Sequence, residues 1–202
     1  MKRKRIFYIL VTVLCLIAIG WGVILYQVFM IKSKADYYGN SYEREAPEFT
    51  LTDHSGSRVE LADFKGKAVL LFFGYTHCPD ICPVTMGTLN SVTNTLGEDK
   101  DKVQVLFITI DPERDDQEKL KNYVPFFNES FIGLTGTPEE IDKVADDYNA
   151  FYEKEDMGSE TGYLMGHASS VYLINPKGKL VLRYPQNRMD PEGIAGDIRQ
   201  IL

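Results

Sequence analysis

The sequence predicts a mixed α/β domain that follows a single membrane-spanning helix. Residues 6–31 carry no charged side chain, and this run is long enough to cross a lipid bilayer as a helix. Further along, residues 68–75 are a continuous apolar run, residues 103–110 have the pattern of a second buried strand, and apolar residues recur at helical spacing between them. Buried strands joined by a helix are typical of a parallel sheet covered on both faces. These observations predict an α/β sandwich behind an N-terminal anchor.

Charge divides the chain into two parts. The net charge is −7, but six of the 22 basic residues and none of the 29 acidic residues lie within residues 1–34. The remaining chain, with 16 basic and 29 acidic residues, carries −13. An acidic body argues against a nucleic-acid partner, which would require a basic face. The basic tail at residues 1–5 favours a cytoplasmic N-terminus. We therefore expect a single-pass anchor of the cell membrane at residues 6–31, with the functional domain on the extracytoplasmic side.

Two other interpretations of the apolar run remain open. Residues 18–20 are similar to the cleavage site of a removable signal peptide, although the apolar run continues to residue 31. Cys15 is a candidate lipid-attachment site, but the bulky Val13 and Leu14 precede it where small residues are expected. As a small apolar side chain, Cys15 also fits inside a membrane span. All three interpretations predict an exported body.

The body begins with a tether and a hairpin. Residues 32–46 are polar, without apolar periodicity, and we predict a tether there. The domain then covers residues 47–202, a length that suits one folded unit. Residues 48–52 and 58–61 alternate in hydrophobicity on either side of the turn Asp53–Gly56, which predicts a β-hairpin.

The rest of the domain alternates strands and helices. In chain order we predict a strand at 68–75, a helix through Met86–Leu96, a strand at 103–110, helices over 117–127 and from Pro138, a hairpin of 170–174 and 179–184, and a helix from Pro191 to Ile201. Pro138 and the two glutamates after it suit the first turn of a helix. The segment Asn175–Gly178 has the composition of a tight turn. Parallel central strands with helical crossovers and a closing antiparallel hairpin describe a thioredoxin-like sandwich.

A cysteine pair follows the first predicted central strand. Cys78 and Cys82 lie in the motif HCPDICP, where the strand leads into a helix. Sites in open α/β sheets form beyond the carboxyl ends of strands, and a helix start favours the thiolate by lowering the thiol pKa. An inert structural disulfide is the alternative, but closing so short a loop gives little entropic stabilisation. We therefore predict disulfide exchange or metal binding at this pair.

One histidine complements the cysteines. In a thioredoxin-like topology, the junction before the strand at 170–174 lies against the cysteine loop, and His167 occupies that junction. His54 lies in the predicted hairpin turn, and His77 should point away from the adjacent Cys78 because neighbours on extended chain face opposite ways. Two thiolates with one imidazole suit copper, because thiolates select Cu(I) and an added nitrogen accommodates Cu(II).

The segment that precedes His167 is predicted to be a loop. It contains Gly158, Gly162 and Gly166, and we expect such a loop to let His167 swing between loaded and empty states of a metal site. Met165 is a further soft donor in this segment, but methionines at hydrophobic junctions usually pack rather than bind metal.

Three motifs carry a resemblance to a known family. They are GYTHCPDICPVT, FITIDPERD and GHASSVYLINPKG, at residues 74–85, 107–115 and 166–178. In order and spacing the chain, from about Ala46 onward, is similar to the Sco/SenC family of membrane-anchored copper proteins. In that family the two motif cysteines and the late histidine bind copper, and they fall on Cys78, Cys82 and His167.

The resemblance implies further expectations. The aspartate of the DP motif lies close to the site in that family, which indicates Asp111 as a group beside the ligands. Family members often carry Asp before the histidine, whereas this chain has Gly166. Such proteins help to build the dinuclear copper centre of cytochrome c oxidase subunit II as metal donor, thiol reductant or both. A thiol-disulfide oxidoreductase that keeps the cysteines reduced is a second implied partner.

Three functions are therefore compared. A copper metallochaperone requires Cys78, Cys82 and His167. An extracytoplasmic thiol-disulfide oxidoreductase requires only the cysteines, one to attack a partner disulfide and one to resolve the mixed disulfide, and the cysteines then cycle through a disulfide of their own. A peroxiredoxin-like peroxidase is less consistent with the sequence, since those enzymes need Thr or Ser three residues before the reactive cysteine. Tyr75 and Pro79 stand at those positions here.

Overall fold

The computed structural model describes residues 2–32, 36–159, 162–167 and 169–202. The chain divides into two compact units, of which the second is Tyr37–Leu202. The first contains helix α1 (Lys2–Lys32). Its segment Lys4–Gln27 has a mean hydropathy of 2.6 and is long and apolar enough to cross a membrane. The N-terminal helix is thus a candidate membrane span, in agreement with the predicted anchor.

The second unit is built on an eight-stranded mixed sheet. Its strands and those of a small hairpin are β1 (Asn40–Glu45), β2 (Thr50–Asp53), β3 (Arg58–Glu60), β4 (Ala68–Gly74), β5 (Val103–Thr109), β6 (Ile132–Thr135), β7 (Tyr152–Ser159), β8 (Gly162–His167), β9 (Ser170–Ile174) and β10 (Lys179–Pro185). The order across the large sheet is β1-β10-β9-β4-β5-β6-β2-β3, and β7 pairs with β8 separately. Strands β4, β5 and β6 are parallel, while the outer pairs are antiparallel.

Helices cover the sheet and make its crossovers. They are α2 (Ile81–Leu96), α3 (Gln117–Phe127), α4 (Pro138–Asp147) and α5 (Pro191–Ile201). Helix α2 joins β4 to β5 and α3 joins β5 to β6, as parallel neighbours require. Helix α4 starts at the predicted proline, with a reciprocal cap in which the Thr137 hydroxyl accepts from the Glu140 amide and the Glu140 carboxylate accepts from the Thr137 amide.

Strands β4 and β5 form the centre of the core. All seven residues of each strand are buried. Phe72 and Phe107 stand side by side in the parallel register, with ring centroids 5.9 Å apart. Because both faces of these strands are covered, their sequences are mostly apolar rather than alternating, and the polar exceptions Gln104 and Thr109 on β5 are buried. Their carboxyl ends, Gly74 and Thr109, are register partners at one edge of the sheet, and the functional side chains lie at that edge.

The predicted tether at residues 32–46 requires correction in its second half. Strand β1 pairs with β10 at the edge of the large sheet. The backbone amides of Tyr38 and Gly39 each donate to the buried carboxylate of Asp197, at 2.8 Å. A polar edge strand is held by backbone hydrogen bonds and needs no apolar run, so its residue pattern does not reveal it. Of the predicted tether, residues 33–35 lie outside the described residues.

The segment before His167 is a β-hairpin, which corrects the predicted loop. Strand β7 runs antiparallel to β8, with Tyr152 opposite His167. Glycines and acidic residues are poor strand formers, so the composition of this segment favours a loop. Backbone pairing between the two strands overrides that preference. The short strand β6, which the sequence pattern also does not predict, extends the parallel part of the sheet.

Candidate metal centre

The cysteines lie where β4 leads into α2. Cys78 is in the connecting loop and half-buried, whereas Cys82 is in the first turn of α2 and fully buried. Both are free thiols. The backbone N–H of Cys82 donates to the Sγ atom of Cys78 over 3.4 Å. The start of the helix therefore turns a backbone donor toward the Cys78 sulfur, as the sequence predicts.

Gly74, the last residue of β4, makes room for Cys82. A Cβ atom at position 74 would lie 3.0 Å from the Sγ of Cys82 and 2.8 Å from a ring carbon of Phe107. Both distances are shorter than side chains tolerate. Glycine thus allows the first turn of α2 to approach the end of the strand closely.

His167, the last residue of β8, completes the cluster. Its Nε2 atom lies 3.6 Å from the Sγ of Cys82. The three potential ligand atoms, two sulfurs and one imidazole nitrogen, all lie within 4.8 Å of one another. The Nδ1 atom is buried and has no hydrogen-bond partner in the described part of the chain. The imidazole packs against the rings of Phe72 and Tyr75, at centroid distances of 6.4 and 6.0 Å.

The two thiols have opposite proton affinities. The Cys82 thiol, the His167 imidazole and backbone N–H groups at the start of α2 all donate toward Cys78, and they lower its pKa to about 3 although burial opposes this. The pKa of Cys82 is raised, first because it shares its proton with the neighbouring Cys78 thiolate and second because it is buried. The expected helix effect therefore holds for Cys78 and is wrong for Cys82.

The other histidines are not part of the described cluster, and Met165 packs with the core. The Nδ1 atom of His77 faces the carboxylate of Asp115 at 3.6 Å, and His77 is not part of the described cluster of ligand atoms. His54 accepts a hydrogen bond from the amide of Gly133 on β6, at 3.0 Å, which gives the turn residue a structural contact. Met165 is buried with the core residues.

Asp111 lies two residues beyond the end of β5 and is buried. Its carboxylate accepts hydrogen bonds from the Nε of Arg114, at 2.5 Å, and from the hydroxyl of Tyr163 on β8, at 2.7 Å. The described cluster of ligand atoms contains the cysteines and His167 but not Asp111. Asp111 therefore contacts the strand that carries the histidine, rather than the cysteines.

Asp115 is a second buried carboxylate, which the sequence analysis does not single out. It accepts from the Thr76 amide at 2.8 Å, from the Thr76 hydroxyl at 2.5 Å and from the Thr109 hydroxyl at 2.7 Å. Through Thr76 it fixes the start of the cysteine loop to the end of β5. Its position in the motif FITIDPERD, beside the predicted Asp111, is the sequence signal that could have identified it.

The donor set fits copper. Thiolates are soft ligands that select Cu(I), and an imidazole nitrogen extends the set to Cu(II). Cys78 supplies a thiolate at neutral pH, because its pKa is lowered. The imidazole nitrogen that faces the sulfurs lies 3.6 Å from the Sγ of Cys82 and also interacts with the Cys78 thiolate. Two sulfurs and one nitrogen that converge within 4.8 Å thus fit a copper site.

The chain matches a known protein family over nearly the whole of the domain that holds this site. The family model described as SCO1/SenC matches residues 39–202. The chain belongs to the SCO1/SenC family. The matched range begins next to β1, in agreement with the correction that assigns β1 to the domain.

Individual SCO and Sco proteins are similar to this chain in sequence and in structure. The chain is 40% identical over 154 residues to "Protein SCO2 homolog, mitochondrial" of Danio rerio, which covers 75% of this chain and 55% of that protein. The structure of Bradyrhizobium japonicum ScoI with copper bound is 38% identical with a TM-score of 0.72, covering 79% of this chain and all of that one. BsSco, described as having a disulfide switch and as a member of the Sco family of cytochrome c oxidase assembly proteins, is 25% identical with a TM-score of 0.66, covering 81% of this chain and 96% of that one.

These similarities confirm the fold prediction. The SCO1/SenC domain of this chain has the mixed α/β, thioredoxin-like fold of the solved Sco structures, behind an N-terminal helix that is a candidate membrane span. The chain spans little more than half the length of the curated relatives from Danio rerio and Mus musculus that it matches, 55% and 60% respectively.

Proposed function

We propose that this SCO1/SenC family member is a membrane-anchored copper metallochaperone that assists assembly of the dinuclear copper centre of cytochrome c oxidase subunit II. Cys78, Cys82 and His167 are the copper ligands in this proposal, and copper is the cargo. The observation that carries it is the convergence of two sulfurs and one imidazole nitrogen within 4.8 Å, at the carboxyl end of a central strand. The copper-bound state of the related ScoI protein supports the choice of metal.

The anchor and the neighbouring aspartate have roles in the same proposal. Helix α1 holds the domain at the cell membrane, with the basic N-terminus in the cytoplasm and the copper site on the extracytoplasmic side. Asp111 does not bind the metal but orients the strand that bears His167, because its carboxylate accepts from Tyr163 on that strand.

Thiol-disulfide exchange is the second candidate function. It is favoured by the lowered pKa of Cys78 beside the raised pKa of Cys82, which are the properties of an attacking thiol and a resolving thiol. The Cys78 thiolate attacks a partner disulfide and releases one partner thiolate. Cys82, after losing its proton, attacks the mixed disulfide and releases the second. The partner gains two electrons, and Cys78 and Cys82 form a disulfide. A thiol-disulfide oxidoreductase then returns this pair to the dithiol.

Copper binding distinguishes the two functions through His167. In the reduced full-length chain, His167→Ala should lower Cu(II) affinity at least about 100-fold. Mutation of residues that only contact metal ligands already lowers metal affinity about 10–100-fold, and loss of a ligand should lower it more. Competition with a chelator of known affinity, under anaerobic conditions, measures this change. The same variant should keep most of its ability to reduce a model disulfide, because the Cys82 thiol and the start of α2 still favour the Cys78 thiolate. His77→Ala is the matched control, because His77 is beside Cys78 but faces Asp115.

Transfer of copper from the loaded chain to apo subunit II then tests the partner. Transfer by the parent and its loss in Cys78→Ser are the expected results. Parent-level copper affinity in His167→Ala would remove His167 from the ligand set, and disulfide reduction without copper transfer would favour the oxidoreductase. Absence of peroxide consumption is expected, because Tyr75 and Pro79 stand where a peroxidase needs Thr or Ser.

A further inference from the structure

The histidine ligand stands on an element that lies outside the main sheet. Strands β7 and β8 form a two-stranded sheet of their own, and His167 is its last residue. The cysteines, by contrast, are attached to β4 and α2 in the centre of the domain. Side-chain contacts between the hairpin and the rest of the domain must therefore help to determine whether His167 reaches the cysteines.

Tyr163 on β8 is the focus of these contacts. The guanidinium carbon of Arg114 lies 3.6 Å from its ring centroid, and the ammonium of Lys154 lies 3.7 Å from it. Its hydroxyl donates to the Asp111 carboxylate at 2.7 Å, and its carbonyl accepts from Nη1 of Arg114 at 2.9 Å. Lys154 also pairs with Glu113 at 2.8 Å. Backbone, ring and hydroxyl of one residue on β8 are thus all held by the segment that follows β5.

Arg114 extends the same contacts toward the cysteine loop. Its Nε donates to buried Asp111 at 2.5 Å, and its guanidinium carbon lies 5.9 Å from the ring centroid of Tyr75. Tyr75 packs edge-on against the imidazole of His167, and its carbonyl accepts from the amide of Cys78 at 3.3 Å. Arg114 therefore lies between the element that carries the histidine and the loop that carries the cysteines.

We propose that Asp111, Arg114 and Tyr163 form a latch that positions His167 for copper and thereby sets the preference for Cu(II) over Cu(I). This proposal rests on the proposed function, because it assumes that His167 is a ligand. With the latch intact, copper meets two sulfurs and a nitrogen, the set that accommodates Cu(II). With the latch broken, the hairpin no longer holds His167 beside the cysteines. Of the described ligand atoms, the two thiolates are then the only donors held in place by the latch-independent part of the site, and thiolates suit Cu(I). Arg114 and Tyr163 are positioning residues and do not touch the metal.

The test uses the full-length chain with Tyr163→Phe, which removes only the hydroxyl, and Arg114→Gln, which removes the charge and the fork of donors. Each should weaken Cu(II) about tenfold, since hydrogen bonds to charged groups are the stronger class. Each should change the visible and electron paramagnetic resonance spectra of the Cu(II) form, and leave Cu(I) affinity within about twofold.

In a His167→Ala background, neither Tyr163→Phe nor Arg114→Gln should lower Cu(II) affinity further. Tyr42→Phe is the matched control, because it removes a tyrosine hydroxyl that accepts from Asn149 on the surface.

Hydrogen exchange of the metal-free chain provides a readout that does not depend on copper. Amides of β8 should exchange faster in both latch variants, while those of β4 and β5 keep parent rates. Unchanged β8 exchange together with unchanged Cu(II) affinity would overturn the latch, as would additive losses with His167→Ala. If His167→Ala itself retained parent copper affinity, the proposed ligand set would fail, whereas β8 exchange would still report whether the latch holds the hairpin.

Discussion

At the scale of single residues, Cys78 and Cys82 are chemically distinct although they lie four positions apart. Cys78 is half-buried and receives hydrogen bonds, so its thiolate is favoured, whereas Cys82 is buried beside that thiolate and retains its proton. In the proposed copper site both cysteines bind as thiolates. Binding of the metal must therefore displace the Cys82 proton, and copper affinity should rise with pH. The same asymmetry makes Cys78 the reactive thiol in the absence of metal.

Alkylation of Cys78 tests this asymmetry. Because its pKa is lowered to about 3, the thiolate persists as pH falls and is lost only when pH approaches that value. The alkylation rate of Cys78, followed by peptide mass spectrometry with iodoacetamide, should stay level from neutral pH to about pH 5. Cys82→Ala removes the Cys82 thiol, whose hydrogen bond is the largest cause of the lowered pKa of Cys78. As pH is lowered, alkylation of Cys78 should therefore begin to slow at a higher pH in this variant than in the parent. Identical profiles for the two proteins would contradict the coupling.

At the scale of elements, the site depends on how closely α2 approaches the end of β4. Gly74→Ala places a Cβ 2.8 Å from Phe107 and 3.0 Å from the Cys82 sulfur, and should lower the free energy of unfolding by about 1–3 kcal/mol through overpacking. Gly87→Ala in the exposed face of α2 is the control. Its Cβ would meet nothing within 4 Å, so it should stabilise the domain by up to about 1 kcal/mol. Urea denaturation compares them, and equal stability of the two variants would refute the close approach.

Some elements could be predicted from the sequence and others could not, for physical reasons. The runs that form β4 and β5 are mostly apolar on both faces, and this pattern identifies them in the sequence as buried strands. Strand β1 and the β7–β8 hairpin are held by backbone pairing, which leaves little trace in residue type. The meeting of His167 with the cysteines follows from the topology of the sheet. The contacts of Arg114 with Tyr163 join side chains 49 positions apart, and no spacing rule predicts them.

At the scale of the whole molecule, the compact domain that holds the site begins at Tyr37. The segment before β1 is held on α5 because Asp197 accepts from the amides of Tyr38 and Gly39 and from the Tyr184 hydroxyl. A chain that begins at residue 47 would lose β1 and leave the buried Asp197 with fewer donors. It should be less stable than a chain beginning at residue 37 by about 2 kcal/mol or more. Thermal and urea unfolding measure the difference. Equal stability of the two chains would show that residues 37–46 are a tether and do not stabilise the domain.

In the proposed function, Cys78, Cys82 and His167 form one site whose cysteines either bind copper or form a disulfide. A disulfide offers no thiolate to a metal, so the two states exclude each other. The most direct measurement is the copper content of the full-length chain, reduced and oxidised, after titration and removal of free metal. We expect one copper per reduced chain, almost none in the oxidised chain, and recovery of binding after re-reduction. Equal copper binding by the two forms would contradict the proposal.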